Sequence, residues 1–191
     1  MRKFRVDVFD ELVDTLNSLP SIGKKSAIRL AYYLSVENKF KALKLIEALE
    51  SAVSLIKKCK ECNGISSDEL CVICSDSFRD KSKLCIIQSA KDIFSIENTK
   101  SYDGLYYVLD SLEELDISHL IEVIDKRGVK EIIFAFPPSI ASDSLILFIE
   151  DKLSDKNLNF SKIAQGVPSG VELDSIDIIS LSKALEDRVK V

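Results

Sequence analysis

The chain has no tryptophan, one histidine, and one methionine, which is its first residue. His119 has no second histidine or cysteine near it in the sequence. A surface or helix-start place is therefore expected for it, not the role of a catalytic base. Ser139, Ser142 and Ser144 share a loop with no histidine to activate them, which excludes nucleophilic catalysis there. No stretch approaches the roughly 18 consecutive apolar residues of a membrane-spanning helix. The first residues are interrupted by Asp7, Asp10, Glu11 and Asp14 and lack the apolar middle of a secretory signal. A cytoplasmic protein without a membrane partner is expected. Internal repeats and low-complexity tracts are absent. Gly166-Val167-Pro168-Ser169-Gly170 lacks the Gly-Lys-Ser/Thr ending that holds nucleotide phosphates and magnesium, so a structural turn is expected there.

What is present is the composition of a soluble globular chain: 46% hydrophobic and 30% charged residues. Its 191 residues suit one large domain or two small ones. The formal net charge is −5, but it is unevenly spread. Residues 1–60 carry 12 Lys or Arg against 7 Asp or Glu, and residues 61–191 carry 14 against 24. A basic first third can face DNA while the acidic remainder faces solvent or protein.

Apolar spacing predicts helices over 5–17, about 24–34 and about 39–58. Their faces carry Val8, Phe9, Leu12, Val13 and Leu16, then Ala27, Ile28, Leu30, Ala31 and Leu34, then Phe40, Leu43, Ile46, Leu49, Val53 and Ile56. After a polar cysteine segment the pattern changes. Short apolar runs at 84–87, 105–109, 131–136 and 163–167 predict strands, with helices between them at 91–98, 119–127 and 143–153. Such alternation implies parallel strands between helix layers. A last helix is expected over 178–190. Glu172, Asp174 and Asp177 form an acidic cluster before it, read as a solvated stretch or as a partner or subunit contact.

Cys59-x2-Cys62 and Cys71-x2-Cys74 are two matched pairs in a segment too polar to form its own core. Each pair can present two thiolates from one tight turn, and together they supply the four soft ligands of a closed, structural zinc site. Two disulfides, a redox dithiol or unconnected thiols are the alternatives. A reducing cytoplasm disfavours the first, and a redox dithiol needs one pair only. Lys57, Lys58 and Lys60 lie close enough to offset the charge of a four-thiolate zinc centre. Cys85, within an apolar run, reads as a buried small hydrophobe.

Leu19-Pro20-Ser21-Ile22-Gly23-Lys24-Lys25 is a tight turn of small residues leading into a helix N-terminus, whose free N–H groups can face a phosphate. Lys24 and Lys25 add charge, and Arg29 lies one helical turn after Lys25. Contacts of this kind read the nucleic-acid backbone with little sequence preference. An ordinary helix connection bearing exposed lysines is the alternative.

The order of these features, together with LPSIGKKSAIRLAYYL, LCIIQSAKDIFSIENTKSYDGLYYVL and KIAQGVPSGVELDSIDIISLSKALEDR, resembles the bacterial recombination-mediator family RecR over nearly the whole chain. The resemblance implies an α/β protein in four parts. These are a helical helix-hairpin-helix domain (1–58), a four-cysteine zinc finger (59–80), a Toprim domain with a Rossmann-like, mostly parallel sheet (81–166), and a C-terminal helical segment (167–191). It implies one structural zinc ion held by Cys59, Cys62, Cys71 and Cys74. It also implies binding of single- and double-stranded DNA, with Lys25 and Arg29 at the family's basic positions and Lys24 beside them. Dimers or ring-like tetramers are implied, as is work with RecO and, in many bacteria, RecF, to load RecA onto gapped single-stranded DNA. Three positions depart from the pattern. Ser21 stands where such hairpins have glycine, Gln88 where Toprim domains have glutamate, and Ala141 where an acidic residue is expected, leaving Asp143. Gln88 and Ala141 count against the alternative of a magnesium-dependent Toprim nuclease or primase-like enzyme, since magnesium needs clustered oxygen ligands. No catalytic residue is expected. A divergent relative that binds only protein is a third reading.

Overall fold

The computed structural model describes residues 7–109, 116–164, 166–167, 170–186 and 188. The chain divides into two units, Met1–Ile56 and Lys57–Val191. In the first, α1 (Asp7–Asn17) and α2 (Lys24–Tyr32) pack through a seam of Val13, Ala27 and Ala31, flanked by Phe9, Leu12, Leu16 and Ile22. Alanine at successive turns of α2 lets the two backbones come close. A π-helical turn, Tyr33–Glu37, follows, closed by the Asn38 N–H donating to the Tyr33 carbonyl at 2.8 Å. The Asn38 side chain then caps α3 (Lys39–Leu55), accepting from the Lys41 N–H at 2.9 Å. This helix ends before Lys58, the expected limit, because Lys57 and Lys58 are drawn into a hairpin strand.

The second unit opens with that hairpin, β1 (Lys57–Lys58) and β2 (Ile65–Ser66), and a short helix, α4 (Val72–Ser75). Then follow β3 (Asp80–Ile87), α5 (Ala90–Thr99), β4 (Gly104–Val108), α6 (Ile117–Arg127), β5 (Glu131–Ala135), α7 (Ile140–Lys152) and β6 (Asn159–Lys162). A 3-10 turn, Leu173–Ser175, and α8 (Ile178–Glu186) come last. The four long strands form one parallel sheet in the order β4-β3-β5-β6, a Toprim-like arrangement. The two-residue period of the strands sorts the core. Leu84, Ile86, Leu105, Tyr107, Ile132 and Phe134 face α6 and α7. Cys85, Ile87, Tyr106 and Val108 face the other way, toward Ile93 and Ile96 of α5. Ser89, Asp116 and Ser139 cap α5, α6 and α7 through their side-chain oxygens. Gly128 ends α6 at φ 69°, a conformation that side chains resist.

One expected strand is misplaced. The run 163–167 is not a strand in its described residues, and β6 lies just before it at Asn159–Lys162. The sheet selects Phe160, whose ring stacks on Phe134 with centroids 6.2 Å apart. Ile163 makes the last backbone bond, to Phe134, and the chain then leaves the sheet. An edge strand with one buried side needs little apolar content, so the richer run misled. Residues 5 and 6 of the first expected helix, Gln165 in that run, Pro168 and Ser169 of the expected turn, and Asp187, Val189 and Lys190 of the last helix lie outside the described residues.

Candidate functional site

The two cysteine pairs converge. The sulfurs of Cys59, Cys62, Cys71 and Cys74 all lie within 4.8 Å of one another, every one buried and none in a disulfide. A tetrahedral zinc with Zn–S bonds of about 2.3 Å needs sulfurs roughly 3.8 Å apart; Cys62 and Cys71 are 3.6 Å apart. The donor set fits the ion.

Local geometry explains the convergence. Asn63 adopts φ 57°, which folds the chain back after Cys62. The Gly64 N–H then donates to the Cys62 sulfur at 3.3 Å. A side chain at Gly64 would meet that sulfur at 3.1 Å and Ile93 at 3.2 Å. The Cys71 N–H donates to Cys59 at 3.3 Å, and the Cys74 N–H to Cys71 at 3.4 Å. These donors favour thiolates. Hydrogen bonds from Cys62, then Cys71 and Cys74, hold the Cys59 thiol far below its ordinary value, while contact with Cys59 pushes Cys62 and Cys74 up. Four thiolates this close repel one another, and a bound dication lets all four ionise.

The cluster is clamped to the Toprim-like sheet. Glu61, inside the first Cys-x2-Cys turn, is buried, and its carboxylate accepts from Lys126 at 2.5 Å and from Arg127 Nε at 2.8 Å, with Arg127 Nη2 also paired to it. Arg127 Nη2 further donates to the Cys74 carbonyl at 2.8 Å, so one guanidinium ties both cysteine turns to the end of α6. His119 joins the same clamp, with Nε2 2.9 Å from the Lys60 carbonyl and Nδ1 2.9 Å from the Tyr107 hydroxyl. A carbonyl can only accept, so Nε2 carries the proton. The helix-start position expected for His119 is correct, but it is a half-buried link. On the other side, the Val108 N–H donates to the Cys62 carbonyl at 2.8 Å and Asn63 Nδ2 to the Val108 carbonyl at 3.4 Å.

Sequence reasoning missed Glu61, Lys126 and Arg127. They lie 65 and 66 residues apart, and only an acid placed between two expected ligands hinted at a partner. Of the lysines expected to offset zinc's ligands, Lys60 instead pairs with Glu69 in an exposed contact of 2.5 Å. Cys85 is buried as expected, and burial pushes its thiol up to about 12.

In the first unit, the turn before α2 puts Ser21 at φ 67°, the left-handed region where glycine is favoured. Gly23 at the start of α2 leaves the first N–H groups without a side-chain cap. Lys24, Lys25 and Arg29 are exposed and form no ion pair among the described residues. The altered Toprim positions lie elsewhere. Gln88 follows β3, Ala141 is in the first turn of α7, and Asp143 lies 3.7 Å from Lys162. Among the described residues, the four cysteines are the one cluster of His, Cys, Asp and Glu placed to hold a metal. Of the C-terminal acidic cluster, Asp177 has a structural task, accepting from the Ser180 N–H at 2.9 Å at the start of α8.

Comparison with known proteins agrees with this geometry. Models described as RecR helix-hairpin-helix, RecR four-cysteine zinc finger domain and RecR C-terminal match residues 9–53, 56–76 and 166–189. The recombination protein RecR of Nitratiruptor sp. is 52% identical over 189 residues, covering 99% of this chain and 100% of its own length. That of Campylobacter jejuni subsp. doylei is 50% identical, covering 97% and 98%, and that of Helicobacter pylori strain Shi470 is 50% identical, covering 95% and 94%. The matched four-cysteine finger and the clustered sulfurs give the chain a structural zinc ion. With helical hairpin, finger and C-terminal segment matched in order, and half of all positions identical along nearly the full length, the chain belongs to the RecR family of recombination proteins.

Proposed function

We propose that this chain is a non-enzymatic mediator that binds single- and double-stranded DNA and works with RecO, and with RecF where present, to place RecA on gapped single strands. A recombination-mediator role in DNA repair follows from the family; the partners and the residue roles are the finer reading. Lys24, Lys25 and Arg29 contact phosphates, and Cys59, Cys62, Cys71 and Cys74 ligate the zinc. The helical part (1–58), finger (59–80), Toprim domain (81–166) and C-terminal segment (167–191) divide the work, in the cytoplasm. The nuclease or primase alternative gains no support.

One observation carries the DNA assignment: Lys24 and Lys25 open an uncapped helix, Arg29 follows one turn after Lys25, and none of the three forms an ion pair among the described residues. Neutralised phosphates release counterions, so affinity should fall steeply with salt. Lys25→Ala/Arg29→Ala is expected to weaken duplex binding about 10-fold and to reduce the log–log salt slope by about 2. Fluorescence anisotropy across a salt series measures both. An unchanged slope and affinity would remove the hairpin as the DNA site.

Self-association is part of the proposal. The face of α3 that carries Phe40, Leu43, Ile46, Leu49 and Val53 is between 51% and 85% exposed, along a helix about 25 Å long. Monomers seldom leave so long an apolar row uncovered. A second copy covers it, forming a dimer or a step toward a ring-like tetramer. Leu49→Asp/Val53→Asp is expected to leave the helix content unchanged and halve the mass seen by sedimentation. A parent chain that already sediments as a monomer would refute this.

A further inference from the structure

We infer that the cleft beside Lys25 and Arg29 is a pocket for an unpaired base, in which Tyr32 and Tyr33 hold one nucleotide of a single strand by ring stacking. This rests on the reading of Lys25 and Arg29 as phosphate contacts and extends it from backbone to base. Lys25, Ile28, Arg29, Tyr32, Tyr33 and Glu37 line one cleft of about 790 Å3. Small-molecule sites span roughly 300–1,000 Å3, so one nucleotide fits.

The residues recur at the spacing that stacks side chains along a helix. Ile28 and Tyr32 are four apart, as are Lys25, Arg29 and Tyr33. Both rings are accessible, with Tyr32 50% and Tyr33 39% exposed, and Ile28 beside them is 44% exposed. Bare aromatic faces interleaved with cations are the working parts of single-strand binding sites.

A second, independent feature points the same way. Tyr33 opens the π-helical turn, and its hydroxyl accepts a hydrogen bond from Asn38 Nδ2 at 3.2 Å. The same Asn38 caps α3 with its other side-chain atom. The ring is therefore held from both its backbone and its tip, which lowers the entropy a stacking partner must overcome. Single π turns inside helices are common at functional sites.

The cleft also has polarity. Glu37 lies eight residues past Arg29, about two helical turns further along. A carboxylate repels phosphate but accepts from the amino group of cytosine. The cationic end suits the backbone, and the end carrying Glu37 suits a base edge.

The test uses the full-length, zinc-loaded chain with two probes of equal length: oligodeoxycytidine and the same backbone with every base removed. The parent is expected to bind the base-bearing strand about 10-fold more tightly than the abasic one. Tyr32→Leu/Tyr33→Leu, which keeps apolar bulk and removes the rings, is expected to bring that ratio to about 1 without weakening the abasic strand. Lys25→Ala/Arg29→Ala should weaken both strands alike and leave the ratio intact. The chain has no tryptophan, so tyrosine emission can be read directly, and it should be quenched by the base-bearing probe only. A parent ratio near 1 overturns the base pocket while leaving the phosphate contacts standing. So does a ratio that survives loss of both rings, or a leucine variant that changes oligomeric mass with the ratio unmoved, which would mark the cleft as a protein contact. If instead the Lys25/Arg29 variant binds both strands as the parent does, the phosphate reading fails first, and the base pocket fails with it.

Discussion

Replacing Cys62 with serine, or stripping zinc with a strong chelator, is expected to unfold residues 57–76 and to lower the unfolding temperature of the second unit by more than about 10 °C. The reasoning is energetic. The segment between the cysteines is polar, and its buried side chains are chiefly the sulfurs themselves, with Leu70 and Ile73 packed against them. Apparent zinc binding in comparable small modules is worth about 10–16 kcal/mol, most of it folding energy. A whole domain is stable by about 5–15 kcal/mol, and each 1 kcal/mol moves the midpoint by about 2–8 °C. The loss spreads to the sheet because Ile73 also packs on its core. Metal analysis and a thermal scan decide the matter. One zinc per chain is expected in the parent and in Cys85→Ala, and none in Cys62→Ser. An unaltered melting curve after metal removal would show that the four sulfurs do not hold a structural ion.

Arg127→Met is the second large effect, and it separates holding the metal from holding the finger. The variant keeps all four sulfurs and should keep its zinc. It leaves Glu61, 8% exposed at its side chain, with Lys126 as its remaining partner, and it frees the Cys74 carbonyl. Breaking a buried ion pair from one side costs about 3–5 kcal/mol. Lys126 is 60% exposed and softens the loss, so about 3 kcal/mol is expected. Adding Glu61→Gln should recover part of it, since the uncompensated charge is then gone. Chemical denaturation of the single and double variants measures the coupling, and additive losses would mean that the pair contributes nothing. The pair also sets a pH limit. Burial pushes the Glu61 carboxyl up, but the hydrogen bonds and charges of Lys126 and Arg127 outweigh it and hold it below its ordinary value. A depressed carboxyl stabilises the fold above the unfolded value of about 4.3 and stops doing so as pH falls through the folded one. The parent should therefore lose stability more steeply than the double variant below about pH 4.

Much of this architecture was legible from local pattern. Strands β3, β4 and β5 are apolar because helices cover both their faces, and such runs announce themselves. The helices that follow them carry side-chain caps at Ser89, Asp116 and Ser139 and a glycine stop at Gly128. The cysteine spacing dictated the sulfur cluster, since two tight turns are the shortest way to aim four ligands inward. What stayed hidden was long-range or low in contrast. The Glu61–Arg127 clamp joins a turn to a helix end far along the chain, and neither residue is unusual in its own neighbourhood. The edge strand β6 is mostly polar and was overshadowed by the apolar run after it. The exposed face of α3 has the same periodicity as a buried face, because periodicity records that a surface is apolar and not what covers it.

The hydrogen bond from the Val108 N–H to the Cys62 carbonyl has a consequence for solubility. Leu109 donates inward to β3, so the Val108 N–H points outward from the margin of the sheet. An open margin is a template on which another chain can lay a strand, and proteins block it with whatever is at hand. Here the Cys62 carbonyl takes the outward N–H at the end of β4, so the cysteine turn closes that end of the margin to an incoming strand.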